Sequence, residues 1–441
     1  MAPTSPTTTA TSQVARAAVS GRPAGGAARR SALSAAGAAR IAWADGQRPV
    51  LGAIRARFER ERPLAGVRIA ACLHITAETA NLARALLAGG AEVSLCAANP
   101  LSTQDDVAAA LAAEHGAAVF GARGEDRAAY ERALLELVSR APQIVVDDGA
   151  ELIVCAHRES GEAARALLGA TEETATGLVR LRAMAAERTL RCPVLAINET
   201  LTERLFNDRY GTGQSTLDGI LRATNLLLAG RTVVVLGYGS AGRGVAQRAK
   251  GAGAAVIVCE VDPVAALEAR MEGFQVMSAL AAAAIGEVFI TVTGVPDVLR
   301  REHFELMGDG AVLANAGHFD VEISLAELAA IAAGPPREVL PLVDEYEVAG
   351  RRLHLLAKGR VVNLAAAAGH PASVMDLSFA AQALALASLA AAGERLEPGV
   401  HAVAASVDDE VARLKLATLG VEIDTLSGPQ ERYLRPFGRI H

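Results

Sequence analysis

The turn Gly237-Tyr238-Gly239-Ser240-Ala241-Gly242 leaves this 441-residue chain the least freedom of fold. Before it runs an apolar strand-like segment, Thr232–Leu236; after it come a helical stretch to about Ala252 and a second strand-like run, Ala255–Cys259, closed by Glu260. Glycines at this spacing between strand and helix each have a steric task. The first makes a tight turn, the second lets a pyrophosphate approach the backbone, and the third lets helix pack on strand. The helix N-terminus adds positive partial charge for the phosphates. Glu260 follows Gly237 by roughly twenty residues, where a carboxylate accepts from both ribose hydroxyls and repels a 2′-phosphate. The pattern predicts a Rossmann-type unit that contacts NAD, in preference to NADP, through Gly237, Gly239, Gly242 and Glu260.

Upstream the same alternation recurs. Strands are expected at Val67–Leu73, Glu92–Cys96, Ala117–Phe120, Ile144–Val146 and Val194–Ile197, with helices at Ala77–Leu87, Asp105–Glu114, Glu162–Leu168 and Thr176–Glu187. A longer helix is expected at Thr216–Leu228, capped by Ser215 and ended by Gly230. Strands separated by helices pair in parallel, so the expected fold is α/β: two doubly wound parallel sheets with a cleft between them. The expected division is a disordered tail (1–42), a substrate domain (43–205, completed by 371–402), a nucleotide domain (206–370) and a C-terminal arm (403–441).

Composition narrows the partners. With 51% hydrophobic residues, 21% charged residues and a net charge of −6, the chain is globular and too acidic for a nucleic-acid coat or a polybasic membrane binder, which leaves small molecules. Basic charge is nearly all arginine, with lysine only at Lys250, Lys358 and Lys415. The five cysteines form no CxxC pair, which predicts neither a disulfide framework nor a zinc site and fits a reducing cytoplasm. The N-terminal segment lacks the apolar core of a secretory signal. The most apolar run, Phe379–Ala392, is interrupted by Gln382 and Ser388, so no membrane span is expected.

Polar clusters gather at the predicted strand ends, where open α/β sheets keep their ligands. They are His74, Thr76 and Glu78; Ser102-Thr103-Gln104-Asp105; Asp147-Asp148-Gly149; Glu172-Glu173-Thr174; Asn198; Gly317-His318-Phe319-Asp320; and Asn363 with Gly369-His370-Pro371. Each alone has a plain structural explanation, such as a helix cap, a solvated acidic turn or a satisfied core histidine.

Together their order, with the runs Arg209-Tyr210-Gly211-Thr212-Gly213-Gln214-Ser215 and Gly317-His318-Phe319-Asp320-Val321-Glu322-Ile323, resembles S-adenosylhomocysteine hydrolase from about Trp43 to Leu434. It is closest to the branch with a short C-terminus, since no Lys-Pro-Asp…Tyr tail follows Tyr433-Leu434-Arg435. The resemblance implies a homotetramer or homodimer and a redox-assisted elimination. Bound NAD oxidises a nucleoside 3′-hydroxyl, the ketone acidifies the C4′ proton, the 5′ substituent leaves, water adds and hydride returns. It also implies that His74 and Asp148 handle protons at C4′ and C5′, that Glu173 holds sugar hydroxyls, and that Glu78 and His370 read the adenine edge with Thr76 and Asn198 nearby. His318 and Phe319 match the gate; Thr174, Thr176, Asp208, Thr293, Asn315 and Asn363 match positions near NAD. Ala175 replaces the middle residue of the usual Thr-Thr-Thr.

The departure lies in Thr202-Glu203-Arg204-Leu205-Phe206-Asn207-Asp208. The family has Lys at Glu203, Asp at Asn207 and Asn at Asp208; its lysine and aspartate grip the sugar diol, and the lysine assists removal of the 3′-hydroxyl proton. No lysine precedes Lys250 to stand in, and Arg204 is too basic to act as a base. Three readings stay open. Glu203 and Asn207 serve an ordinary hydrolase; or they fit a different sugar and the chain is a nucleoside dehydratase or lyase of specialised, antibiotic metabolism; or the chain is a non-catalytic NAD-binding regulator. Retained proton-transfer groups argue against the third, and the second is preferred because the diol site is rewired; psicofuranine, losing water to an exocyclic alkene as in decoyinine, is a concrete substrate for it.

Overall fold

The computed structural model describes residues 25–159, 167–391 and 396–434. Two sheets form its frame. The first contains β1 (Arg68–Leu73), β2 (Glu92–Ala97), β3 (Ala118–Phe120), β4 (Ile144–Asp147), β5 (Gly169–Glu172), β6 (Pro193–Ala196) and a returning strand, β15 (Gly399–Ala402). Its order is β15-β6-β5-β4-β1-β2-β3, parallel throughout. The second contains β7 (Thr232–Leu236), β8 (Ala255–Cys259), β9 (Gln275–Val276), β10 (Val288–Thr291), β11 (Ala311–Asn315), β12 (Arg337–Leu340), β13 (Val343–Val348) and β14 (Arg351–Leu356), ordered β12-β13-β14-β11-β10-β7-β8-β9. Each sheet reverses winding once, between β1 and β4 and between β7 and β10, and such switch points open a crevice at the strand C-termini.

The α/β expectation holds, with one feature not visible in the sequence: β13 runs antiparallel to both β12 and β14, so the second sheet has a mixed edge. The strands are buried on both faces, and this explains their near-continuous Val, Ile, Leu and Ala.

Two expectations need correction. Residues Gly25–Asp45, assigned mostly to a disordered tail, form a helix packed on helix Asp105–Glu114. There a Cβ on Gly37 would stand 1.9 Å from the Asp106 carbonyl oxygen, and Arg40 pairs with Asp106 at 2.8 Å. Alanine-rich sequence lacks apolar periodicity but has high helix propensity, and docking supplies the rest. Residues 1–24 lie outside the described residues. The helix placed at Thr216–Leu228 runs Gly213–Thr224 and ends at Asn225 in the left-handed region (φ 52°); Ser215 lies inside it and returns its hydroxyl to the Gly211 carbonyl at 2.8 Å. A π-helix, Glu203–Thr212, leads into it. The helix expected at Glu162–Leu168 falls largely outside the described residues, and Leu167 and Leu168 are not helical. Helix Ala372–Ala391, although long and apolar enough to cross a membrane, is largely buried against the first sheet's core.

The chain passes between sheets twice: through the π-helix on the way out, and through Val361–Pro371 on the way back to helix Ala372–Ala391. Asp376 on that helix accepts from the backbone N–H groups of Val50 (3.3 Å) and Leu51 (2.9 Å) and from Lys415 (2.9 Å). It thus caps helix Pro49–Glu61, which has no side-chain cap from its own N-cap residue.

Candidate active site

Between the two switch points lies a cavity of about 630 Å³. From the first sheet its wall takes His74, Thr76 and Glu78 after β1, Asp148 after β4, Glu173, Thr174 and Thr176 after β5, and Asn198 after β6. From the second come Gly239, Thr293 and His318, and from the two crossings Asn207, Asp208, Asn363 and His370.

The paired acids divide their labour because neighbouring residues face opposite ways. Asp147 ties the loop, accepting from the N–H groups of Asp148 (3.0 Å) and Ile153 (2.8 Å), and Glu172 accepts from Gly149 (2.8 Å), Ala150 (2.8 Å) and Thr174 (2.9 Å). Asp148 and Glu173 are thereby left to the cavity. His74 Nε2 is 3.2 Å from Asp148 Oδ2, and His318 Nδ1 is 3.7 Å from Asp148 Oδ1. Gly149 (φ 110°) admits the His318 ring: a Cβ there would stand 2.9 Å from His318 Nε2.

Burial dominates the electrostatics. It pushes the Glu173 carboxyl well above the usual carboxylate range, helped by repulsion from Glu203 and Asp148. Glu203 rises to about 8, through burial and then Asp208, and Asp208 itself rises to about 6 through burial. Burial lowers His74 and brings His370 down to about 4, so His370 is neutral as it contacts Thr212 Oγ1 (3.2 Å) and Asn363 Nδ2 (3.4 Å).

Glu203 is placed differently from the expectation that it lines the site. It lies one layer behind the wall and accepts from the Asn207 side-chain amide, which leaves Asn207 Oδ1 without a partner. Asp148 Oδ1, Glu173 Oε1 and Glu203 Oε2 are also buried and unpartnered. Of these, Asp148 and Glu173 line the cavity and can bond to hydroxyl groups of a ligand there. Among the described lining residues Arg180 is the one arginine or lysine, and it is already bonded to the Gly149 carbonyl (2.8 Å) and Glu151 (2.6 Å).

The dinucleotide fits the second sheet's crevice. A Cβ on Gly242 would meet the Gly237 carbonyl oxygen at 2.1 Å, Gly237 has φ 108°, and open space surrounds a Cβ built on Gly239, where a diphosphate would pass. Glu260 accepts from Tyr238 N (2.6 Å), Val261 N (2.6 Å) and Asp262 N (3.0 Å), which fixes its carboxylate at the tip of β8. Thr174 caps helix Ala175–Ala186 by accepting from Gly177 N at 3.0 Å and meets Thr176 Oγ1 at 3.4 Å. Two cofactor expectations change. Asn315 does not line the cavity: its amide is bonded to the carbonyls of Gly317 (3.2 Å), Phe319 (2.9 Å) and Gly359 (2.9 Å), so it holds the Gly317–Phe319 loop in place. Thr293 lines it, but its hydroxyl and N–H are both given to Glu322 (2.8 and 2.9 Å). Sequence reasoning missed Arg180, Met375 and Phe379 of the wall, since an arginine within a helix or apolar residues in a core helix carry no local signal.

The chain matches the family S-adenosyl-L-homocysteine hydrolase over residues 28–166 and its NAD-binding domain over 208–369. Among curated proteins it is 55% identical to the adenosylhomocysteinase of Aquifex aeolicus over 91% of this chain and 96% of that one. To those of Gloeobacter violaceus and Thermococcus kodakarensis it is 51% and 53% identical, over 91% of this chain and 94% and 95% of theirs. A cavity between two doubly wound sheets, a dinucleotide turn and this degree of likeness agree: the chain is an NAD-dependent enzyme of the S-adenosyl-L-homocysteine hydrolase family.

Proposed function

We propose that this enzyme acts on an adenine nucleoside with a sugar other than plain ribose and eliminates a small 5′-side group, water in the first instance, as a nucleoside dehydratase. The observation that carries the reading is the buried Glu203–Asn207 pair, standing where the resemblance expects a lysine–aspartate grip. The pair presents an amide oxygen, not a cation, to the sugar. An added hydroxymethyl at the anomeric carbon, as in a psicofuranine-type ketohexose, would give such a wall one more donor to bind.

Bound in the crevice, NAD supplies reversible hydride storage, so a ring hydroxyl can stand as a ketone while the adjacent C–H bond is broken. The protein's own groups do the rest. Glu78 and neutral His370 read the base, and Asn207 Oδ1 and Glu173 accept from sugar hydroxyls. Glu203, raised to about 8, takes or holds a proton near neutral pH. His74 and Asp148 remove the proton beside the ketone and protonate the departing oxygen, since hydroxide leaves poorly without an acid. The balance is loss of one C–H proton and one hydroxide as water, with the cofactor unchanged.

A second reading, hydrolysis of S-adenosylhomocysteine, is favoured by the 55% identity to an adenosylhomocysteinase. One experiment separates the two: purified protein is incubated with S-adenosylhomocysteine and a panel of adenine nucleosides, and products are identified by mass. Dehydration of a hydroxymethyl-bearing nucleoside faster than homocysteine release supports the first reading; the reverse order establishes the second.

A further inference from the structure

Ser102 closes a short 3₁₀ turn, Pro100–Ser102, just beyond β2. Its Oγ is 2.6 Å from the Asn99 carbonyl oxygen and 2.7 Å from His74 Nδ1. A carbonyl only accepts, so the hydroxyl proton goes to Asn99, and the Ser102 oxygen must accept from an N–H on His74 Nδ1. The turn is held in this pose, since Asn99 Oδ1 accepts from Leu101 N (2.9 Å) and the Asn99 carbonyl accepts also from Ser102 N (3.0 Å). On the other side of the ring, Nε2 lies 3.2 Å from Asp148 Oδ2. With the proton on Nδ1, Nε2 is the ring nitrogen whose lone pair is left to take a proton on the Asp148 side.

We propose that Ser102 is a positioning residue that fixes His74 with its proton on Nδ1, and so leaves Nε2, beside Asp148, as the ring nitrogen that takes and gives up a proton. If His74 carried its neutral proton on Nε2, the Ser102 oxygen would face a lone pair on Nδ1 and Nε2 could not act as a base. The assignment rests on the reading of His74 and Asp148 as the proton-transfer pair, but its first test needs no turnover.

That test is ¹⁵N NMR of histidine-labelled, full-length protein, with the His74 signals assigned by difference from His74→Gln. The expected result is a protonated Nδ1 in wild type, retained in Ser102→Thr and lost in part or whole in Ser102→Ala. A wild-type His74 with bare Nδ1 and protonated Nε2 overturns the proposal without any variant. So does a Ser102→Ala protein whose His74 signals match wild type. On a turned-over nucleoside, Ser102→Ala should slow solvent deuterium exchange beside the ketone by about 10- to 100-fold while the NADH transient keeps its rate, and Ser102→Thr should restore exchange. Equal slowing of both steps points to mere structural damage and counts against the proposal. Failure of every nucleoside to react would sink the functional reading and leave the NMR result standing.

Discussion

Glu203 accepts a hydrogen bond from the side-chain amide of Asn207, four residues on, inside the π-helix that joins the two sheets. The contact engages the Asn207 amide nitrogen and leaves its Oδ1 without a partner. Restoring the charges that the resemblance implies, Glu203→Lys with Asn207→Asp, should raise turnover of S-adenosylhomocysteine and lower it for the native nucleoside. The measurement is kcat/KM on both; equal values in a folded double variant would remove the pair from specificity.

Glu203 also gives the protein a pH-dependent stability. Its carboxyl moves from an ordinary value of 4.5 to about 8 in the fold, so folding favours the protonated form. This contribution is complete below pH 4.5 and is lost as pH rises towards 8. Glu203→Gln keeps an acceptor for Asn207 and cannot ionise. Urea denaturation should therefore show the variant gaining on wild type by up to about 1.4 kcal/mol per pH unit across that interval. Parallel stability curves would contradict the argument.

For the cofactor, calorimetry should show NAD bound in preference to NADP, with the preference weakened in Glu260→Ala. Gly242→Ala should abolish binding, because its methyl group would sit 2.1 Å from the Gly237 carbonyl oxygen. Undiminished affinity in that variant would mean the turn is more pliable than its geometry implies.

His74→Gln or Asp148→Asn should slow proton exchange beside the ketone by about 10²–10⁴-fold, the scale of a positioned acid or base, and spare the first hydride transfer. Stopped-flow absorbance for NADH and mass analysis for deuterium separate the two steps.

Asp376→Ala should destabilise the protein by about 3–5 kcal/mol, because it leaves the Lys415 ammonium and two helix N–H groups without their acceptor. Denaturant unfolding measures the loss, and a change under about 1 kcal/mol would show that water replaces the carboxylate at no great cost.

The sequence made the nucleotide unit legible because glycine spacing, strand and acid all sit within one short segment. It also exposed Asp148 and Glu173, since strand ends in a doubly wound sheet are where ligands bind. What stayed hidden depends on contacts distant in the chain. Asn315, expected beside the cofactor, is instead held by the carbonyls of Gly317, Phe319 and the distant Gly359. Glu203 withdraws behind Asn207 because the crossing is a π-helix, whose widened turn no propensity announces. Ser102 looked like part of a polar turn until the fold set it against His74. The N-terminal helix Gly25–Asp45 escaped notice because its stability comes from docking on helix Asp105–Glu114.

The two passages of chain between the sheets meet where Thr212 Oγ1 touches His370 Nε2 at 3.2 Å. One carries Asn207 and Asp208, the other Asn363 and His370, and all four line the cavity. The molecule's joint and part of the cavity wall are thus built from the same few residues. Swinging one sheet away from the other would dismantle that wall, so any ligand seated across it would act as a pin that holds the joint shut.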